Sequence, residues 1–352
     1  EKNCTLSIDN ALKYKRAGSR HMKKWMTVCV LCFAFFLLVS CQQKDAVPDH
    51  TKKLKAPLTG LETEQKVTER RPVAVMVNNH PKARPQSGLS KADIVIEALA
   101  EGQITRFLAI FQSQMPETVG PVRSAREYFV TLSNGFDSIF VHHGWSPGAK
   151  EQLESGAADY INGLDFDGSL FWRADFSEPP HNSYTSYQYI KKAAEQKGYE
   201  LKQETDPMLF QTSDAKPVNE SYNVRVDYGT KNVTNLVEYN YDKKTEAYTR
   251  SSDGVMTTDR ETGKPVAMQN IFIVEASHHT IDQDGRRDID IESGGKGLLF
   301  QHGNVIEADW KNVNGRIVPV KDGKWLPFVP GKTWINIVPD LDAASISKGE
   351  GV

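Results

Sequence analysis

Leu38-Val39-Ser40-Cys41 constrains this chain more than any other feature, because it decides which cysteines the folded body can use. Lys23 and Lys24 precede a short apolar run, Trp25 to Val39, and the small residue Ser40 stands before the cysteine. That is the order of a bacterial lipoprotein signal, in which the cysteine is acylated and becomes the mature N-terminus. The run has fifteen residues, whereas a spanning helix needs roughly 20. The competing reading, an anchor helix that is never cut, calls for a longer apolar stretch.

Cleavage before Cys41 removes Cys4, Cys29 and Cys32, and lipidation occupies the remaining cysteine. No disulfide framework, zinc–cysteine site or cysteine nucleophile is then left. The fold has to rest on its hydrophobic core, and about 280 residues beyond the tether are enough for two domains. Residues 1–21 show no apolar period and are read as an upstream extension, with translation from Met22 and a signal peptide over 22–40. Those first forty residues hold 7 of the 43 basic and 2 of the 45 acidic residues, so the rest is about seven units negative. Such a body is a poor nucleic-acid binder and has no general attraction to anionic lipid. Attachment to the membrane therefore falls to the acyl chains, and a diacylglyceryl Cys41 supplies the two that stable anchoring needs.

Residues 41–70 are polar, contain Pro48 and Pro57, and read as a disordered tether. An α/β domain is expected over 71–215. Val73–Val77, Ile94–Ala98, Phe107–Phe111 and Ser138–His142 read as buried strands, and Arg123–Ser133, Lys150–Tyr160 and Ser186–Lys197 as helices. From 221 to 340 the pattern changes to short strands with Asp-Gly and Asn-Gly turns, a mostly antiparallel β domain. Residues 341–352 read as a tail. The fold class expected overall is α+β.

Three segments carry polar clusters. In Gly120-Pro121-Val122-Arg123-Ser124-Ala125-Arg126, proline at a helix entry would set Arg123 and Arg126 on one face beside first-turn amides, an anion site. The alternative is two arginines facing solvent or carboxylates. In Val141-His142-His143-Gly144-Trp145-Ser146, two histidines follow a strand's carboxyl end, where α/β sheets hold ligands. Either is a candidate general base, or a satisfied turn histidine. Ser146 lacks the Gly-x-Ser-x-Gly elbow of a serine hydrolase. Trp172-Arg173 and Pro180-His181-Asn182 form the third cluster, read as loop-borne site residues or as a polar plug. Glu97 and Glu101, before the Gly102 turn, are a candidate carboxylate pair. Asp165-Phe166-Asp167-Gly168 and Asp282-Gln283-Asp284-Gly285 faintly resemble calcium loops but read more simply as turns, and no metal or cofactor is expected.

The lipobox at Cys41, Arg123-Ser124-Ala125-Arg126, His142-His143-Gly144, Pro180-His181-Asn182 and Gly331-Lys332-Thr333-Trp334 together resemble the YerB-like family of Gram-positive lipoproteins. That resemblance implies two adjoining domains and a membrane-attached location, and it supplies no catalytic residues. The leading expectation is a lipoprotein on the outer face of the cytoplasmic membrane that binds an anionic or glycan envelope component, such as a wall polymer. Arg123, Arg126 and Arg173 would hold charge, and His142, His143, His181 and Asn182 would give directional hydrogen bonds. One rival is an envelope hydrolase or transferase with His142 or His181 as base and Glu97 or Glu101 as acid. The other is a scaffold that recruits an envelope protein.

Overall fold

The structure is a computed structural model described over residues 54–212, 220–230 and 234–349. Cys41, the signal region and the start of the expected tether lie outside the described residues. In chain order the strands used below are β1 (Val73–Asn78), β2 (Ile94–Glu101), β3 (Ile104–Phe111), β4 (Ile139–His142) and β5 (Tyr160–Asn162). A hairpin of β6 (Trp172–Arg173) and β7 (Ser183–Tyr184) follows. Next come β8 (Tyr222–Asp227), β9 (Leu236–Asp242), β10 (Ala247–Ser252), β11 (Val255–Met256), β12 (Ala267–Met268) and β13 (Asn270–Glu275). The last are β14 (Gly295–Gln301), β15 (Asn304–Val313), β16 (Arg316–Lys321), β17 (Lys324–Trp325), β18 (Thr333–Val338) and β19 (Ala344–Lys348). The helices of eight or more residues are α1 (Glu127–Asn134), α2 (Pro147–Glu154) and α3 (Tyr187–Lys197). The architecture is α+β, with few helices.

One eleven-stranded sheet runs β17-β16-β15-β14-β13-β18-β2-β3-β1-β4-β5 and crosses the point where composition changes. Its central member, β18, comes from near the end of the chain. It lies parallel to β13 on one side and to β2 on the other. All six of its residues are buried, which suits a strand paired on both edges and covered on both faces.

β1 shows why the core forms. Period-2 alternation sends Val73, Val75 and Val77 to one face and Ala74 and Met76 to the other, and both faces are covered. On the first face α3 packs Ile190, Ala193 and Ala194 beside β5. Further along, a second sheet, β11-β10-β9-β8-β19, lays Val224, Val226, Tyr239 and Tyr248 over the same layer. On the other face α1 packs Tyr128, Phe129, Val130 and Leu132.

Two expectations need correction. The stretch from Leu54 to Arg70 is not a free tether: Leu54–Lys55 pairs with Glu62–Thr63, and Leu58 is sealed in the core beneath the large sheet. Its few apolar residues are too scattered to show a period, yet Ala56, Leu58 and Val67 are buried. The stretch after 340 is not a loose tail over its described part, because β19 pairs along β8 and closes the second sheet's edge.

Candidate functional site

β1 and β4 run parallel, so their carboxyl ends, Asn78 and His142, lie at the same edge. Residues 119–125 cross that edge in extended form. The Arg123 N–H donates to the Met76 carbonyl at 2.9 Å, and the Arg123 carbonyl accepts from the His143 N–H at 2.9 Å. The Val122 N–H donates to the Ser183 carbonyl of β7 at 2.6 Å. Three strand ends therefore hold Arg123 in place.

This geometry corrects the shared helical face expected for Arg123 and Arg126. Residues 122, 123 and 125 spend their peptide N–H groups on neighbouring strand ends and loops, so α1 starts only at Glu127. Arg126 is its extended N-cap, and the two arginines meet different neighbours. Arg126 pairs with Glu101, whose other oxygen accepts from Arg106 at 2.7 Å. Arg123 has no carboxylate partner among the described residues. Its Nη1 reaches only the Pro180 carbonyl, at 3.3 Å, and its Nε is sealed from water without an acceptor. Burial, and then the Arg106 charge, lower its pKa to about 10, so it is still a cation at neutral pH.

Its charge acts on three histidines, His80, His143 and His181. His80, one residue beyond the loop start at Asn79, stacks on His181 with centroids 4.4 Å apart and planes 22° apart. The Asn78 amide is oriented by the His80 N–H, which donates to Oδ1 at 3.0 Å, so Nδ2 donates to His181 Nδ1 at 2.8 Å. His80 Nδ1 in turn accepts from the Lys82 N–H at 3.1 Å. His143 lies against the hairpin. Arg173 can only donate, so its Nη2–H donates a hydrogen bond to His143 Nε2 at 3.1 Å, and His143 Nδ1–H donates to Ser183 Oγ at 2.7 Å. With its N–H facing that hydroxyl, the ring is not placed as a base for Ser183. Gly163 makes room for this arrangement: a Cβ there would lie 2.5 Å from His143 Nδ1.

Other expected site residues go elsewhere. Arg173 forms a bidentate pair with Asp167, the carboxylate of the first calcium-like loop, and Asp282 and Asp284 of the second both bind Arg286. Asn182 is buried, its carbonyl accepting from Ala174 and its Oδ1 unpartnered. Glu97 is not in a cleft. It is fully buried between the two sheets and takes two 2.9 Å bonds from Arg250. His142 points away from Arg123 into Phe140, Trp145 and Tyr160, donating from Nδ1 to the Gly144 carbonyl at 2.8 Å. Its Nε2 is sealed, which removes it as a general base.

Burial lowers His142 to about 4, far below the 6.5 of a free imidazole. The unfolded chain takes up this proton first as pH falls. The stabilisation is therefore complete above pH 6.5 and is lost towards pH 4, by about 3 kcal/mol in all. Urea unfolding of His142→Gln should show a shallower loss between those pH values than the parent. Parallel slopes would assign the acid sensitivity to other groups.

Sequence reasoning missed His80, Asn78 and Arg106. The rule that singled out the loop after β4 applies equally to Asn78-Asn79-His80-Pro81 after β1.

Comparison with known proteins places these features in a family. The model of the N-terminal domain described as "Protein of unknown function (DUF3048)" matches residues 58–200, and that of the corresponding C-terminal domain matches 224–335. The chain is 93% identical over 331 residues to "Putative lipoprotein YerB" of Bacillus subtilis (strain 168), covering 94% of this chain and all of that one. A crystal structure of YerB protein from Bacillus subtilis superposes with a TM-score of 0.81 at 92% identity, covering 84% of this chain and all of the solved chain.

Proposed function

This lipoprotein belongs to the DUF3048 family of paired N- and C-terminal domains, and on that premise we propose that it binds an anionic component of the cell envelope at the Arg123 edge of its large sheet. Cys41 would carry the lipid that holds it on the outer face of the membrane. The observation that carries this reading is the guanidinium of Arg123, half-buried, without a carboxylate partner among the described residues, its charge acting on the rings of His80, His143 and His181. Burying a charge without a counterion is costly, and neighbouring arginines satisfy theirs: Arg126 and Arg106 share Glu101, and Arg173 has Asp167. A cation left open at the carboxyl ends of two parallel strands is what an incoming anion would complete.

The enzyme reading has less support. Glu97 and His142 are sealed, and Glu101 is held between two arginines, so the suggested acids and bases do not face one cleft. The test is retention of the full chain on an immobilised polyanionic wall polymer at moderate salt. Arg123→Ala is expected to weaken binding about tenfold or more, the loss of one charge-assisted pair, with little change in melting temperature. Equal retention of parent and variant would overturn the assignment.

A further inference from the structure

The tautomers at this edge restrict the ligand further. Both His80 and His181 have Nδ1 occupied as an acceptor, from the Lys82 N–H and from the Asn78 amide. Each neutral ring therefore carries its proton on Nε2. Neither Nε2 has a partner among the described residues, and neither is sealed from solvent. Protonating either ring would set an Nδ1–H against another N–H donor. Every charged group facing the pair opposes protonation as well. Lys82 and Arg84 come from the loop after β1, and Arg123 from the crossing segment; Arg84 is paired with Asp253. From the hairpin loop, Glu178 bonds the His181 N–H through its backbone carbonyl at 2.8 Å. Arg106, behind Arg123, is paired with Glu101.

Resting on the anion-binding reading above, we infer that the group recognised is the phosphodiester of an envelope polymer, held by the Arg123 guanidinium and by the Nε2–H groups of His80 and His181. Three features fix the class. Arg123, the half-buried cation without a carboxylate among the described residues, answers the negative charge of a phosphodiester, and the rings, locked neutral, add hydrogen-bond donors without adding charge. Two stacked rings offer donors at two levels, which suits the out-of-plane lone pairs of a tetrahedral oxyanion; a carboxylate accepts in one plane and is satisfied by the arginine fork alone. A groove of about 290 Å³ adjoins the loops that carry His80 and His181, lined by Lys82, Arg84, Phe176, Glu178 and Arg260, three cations to one carboxylate, with the Arg260 guanidinium 4.2 Å from the Phe176 ring centroid. Those cations lie where neighbouring repeat units of a polymer would run, which favours a strand over a lipid headgroup.

Binding of the full-length protein to soluble poly(glycerol phosphate) tests this, with polyglutamate of equal charge, inorganic phosphate and phosphatidylglycerol vesicles as the other arms. The polymer should bind most tightly, and its affinity should change by less than about threefold between pH 5.5 and 8, because no imidazole gains a proton on binding. His181→Ala and His80→Ala should each weaken it by about tenfold, and His181→Gln, which keeps a donor, should lose less. Affinity rising about tenfold on acidification, or equal affinity for polyglutamate, would overturn the phosphodiester assignment while leaving an anion site. Vesicle binding without polymer binding would also overturn it, by assigning the site to lipid. No binding to any polyanion, with Arg123→Ala silent, would remove the anion site itself.

Discussion

Glu97→Gln is expected to lower the free energy of unfolding by about 3–5 kcal/mol, the usual cost of stranding one member of a buried ion pair. The side chains of Glu97 and Arg250 are 0% and 1% exposed, one from β2 and the other from β10 of the covering sheet. The carboxylate also accepts from Trp334 Nε1 at 3.0 Å, Thr105 Oγ1 at 2.8 Å and Asn79 Nδ2 at 3.2 Å. An amide cannot take all of these, because its NH2 would face donors. Arg250 is equally dependent. Its Nη1 binds Ser252 and Thr257, and its guanidinium lies 4.9 Å from the Trp334 ring centroid and 5.2 Å from that of Phe107. Burial alone would lower its pKa, and the Glu97 charge, with Tyr239 and the hydrogen bonds to both, together more than reverse that. Arg250→Met should therefore cost a similar amount, while Glu97→Leu with Arg250→Met should cost much less than the two single losses together. Urea titration of the set measures this. Additive losses, or a single loss below about 1 kcal/mol, would show that the pair does not join the sheets.

Glu97 also marks the limit of what the residues disclose. As a sequence position it is an acid near a glycine turn, a reasonable catalytic candidate. Its partner lies 153 residues later, and nothing local announces it. The buried strands were legible because period-2 alternation and β-branched runs are local signals, as in β1 through β4. The start of α1 was displaced because Arg123 and Ala125 spend their peptide N–H groups on tertiary hydrogen bonds, which propensity cannot register. At the site, Arg123, His143 and His181 were legible as polar groups at strand ends. Arg126, Arg173 and His142 had the same appearance and were separated only by where Glu101, Asp167 and the Phe140–Tyr160 aromatic layer fall in space.

Residues 54–212 produced alone are expected to lack a cooperative unfolding transition, and this follows from β18. A fully buried strand reads as the same apolar run whatever its neighbours, so nothing in Thr333–Val338 sets it apart from the β domain expected over 221–340. In the fold it occupies the edge of β2, pairing Thr333 to Ile94 and Asn336 to Glu97. Without it, β2 becomes a long, flat, apolar edge, the kind that pairs with other chains. Glu97 loses Arg250 and Trp334 together, and Val95, Leu99 and Phe107 lose the covering of Val224, Val226 and Tyr239. Each such side chain is worth about 1.5–3 kcal/mol when buried. Several of them exceed the roughly 5–15 kcal/mol by which a domain is stable. The fragment should show weak near-ultraviolet circular dichroism, bind a hydrophobic dye and aggregate, and co-production with residues 220–349 should restore a single sharp urea transition. A sharp transition from the first fragment alone would mean that β2 tolerates a bare edge, and that β18 is an addition to a finished domain instead of its completion.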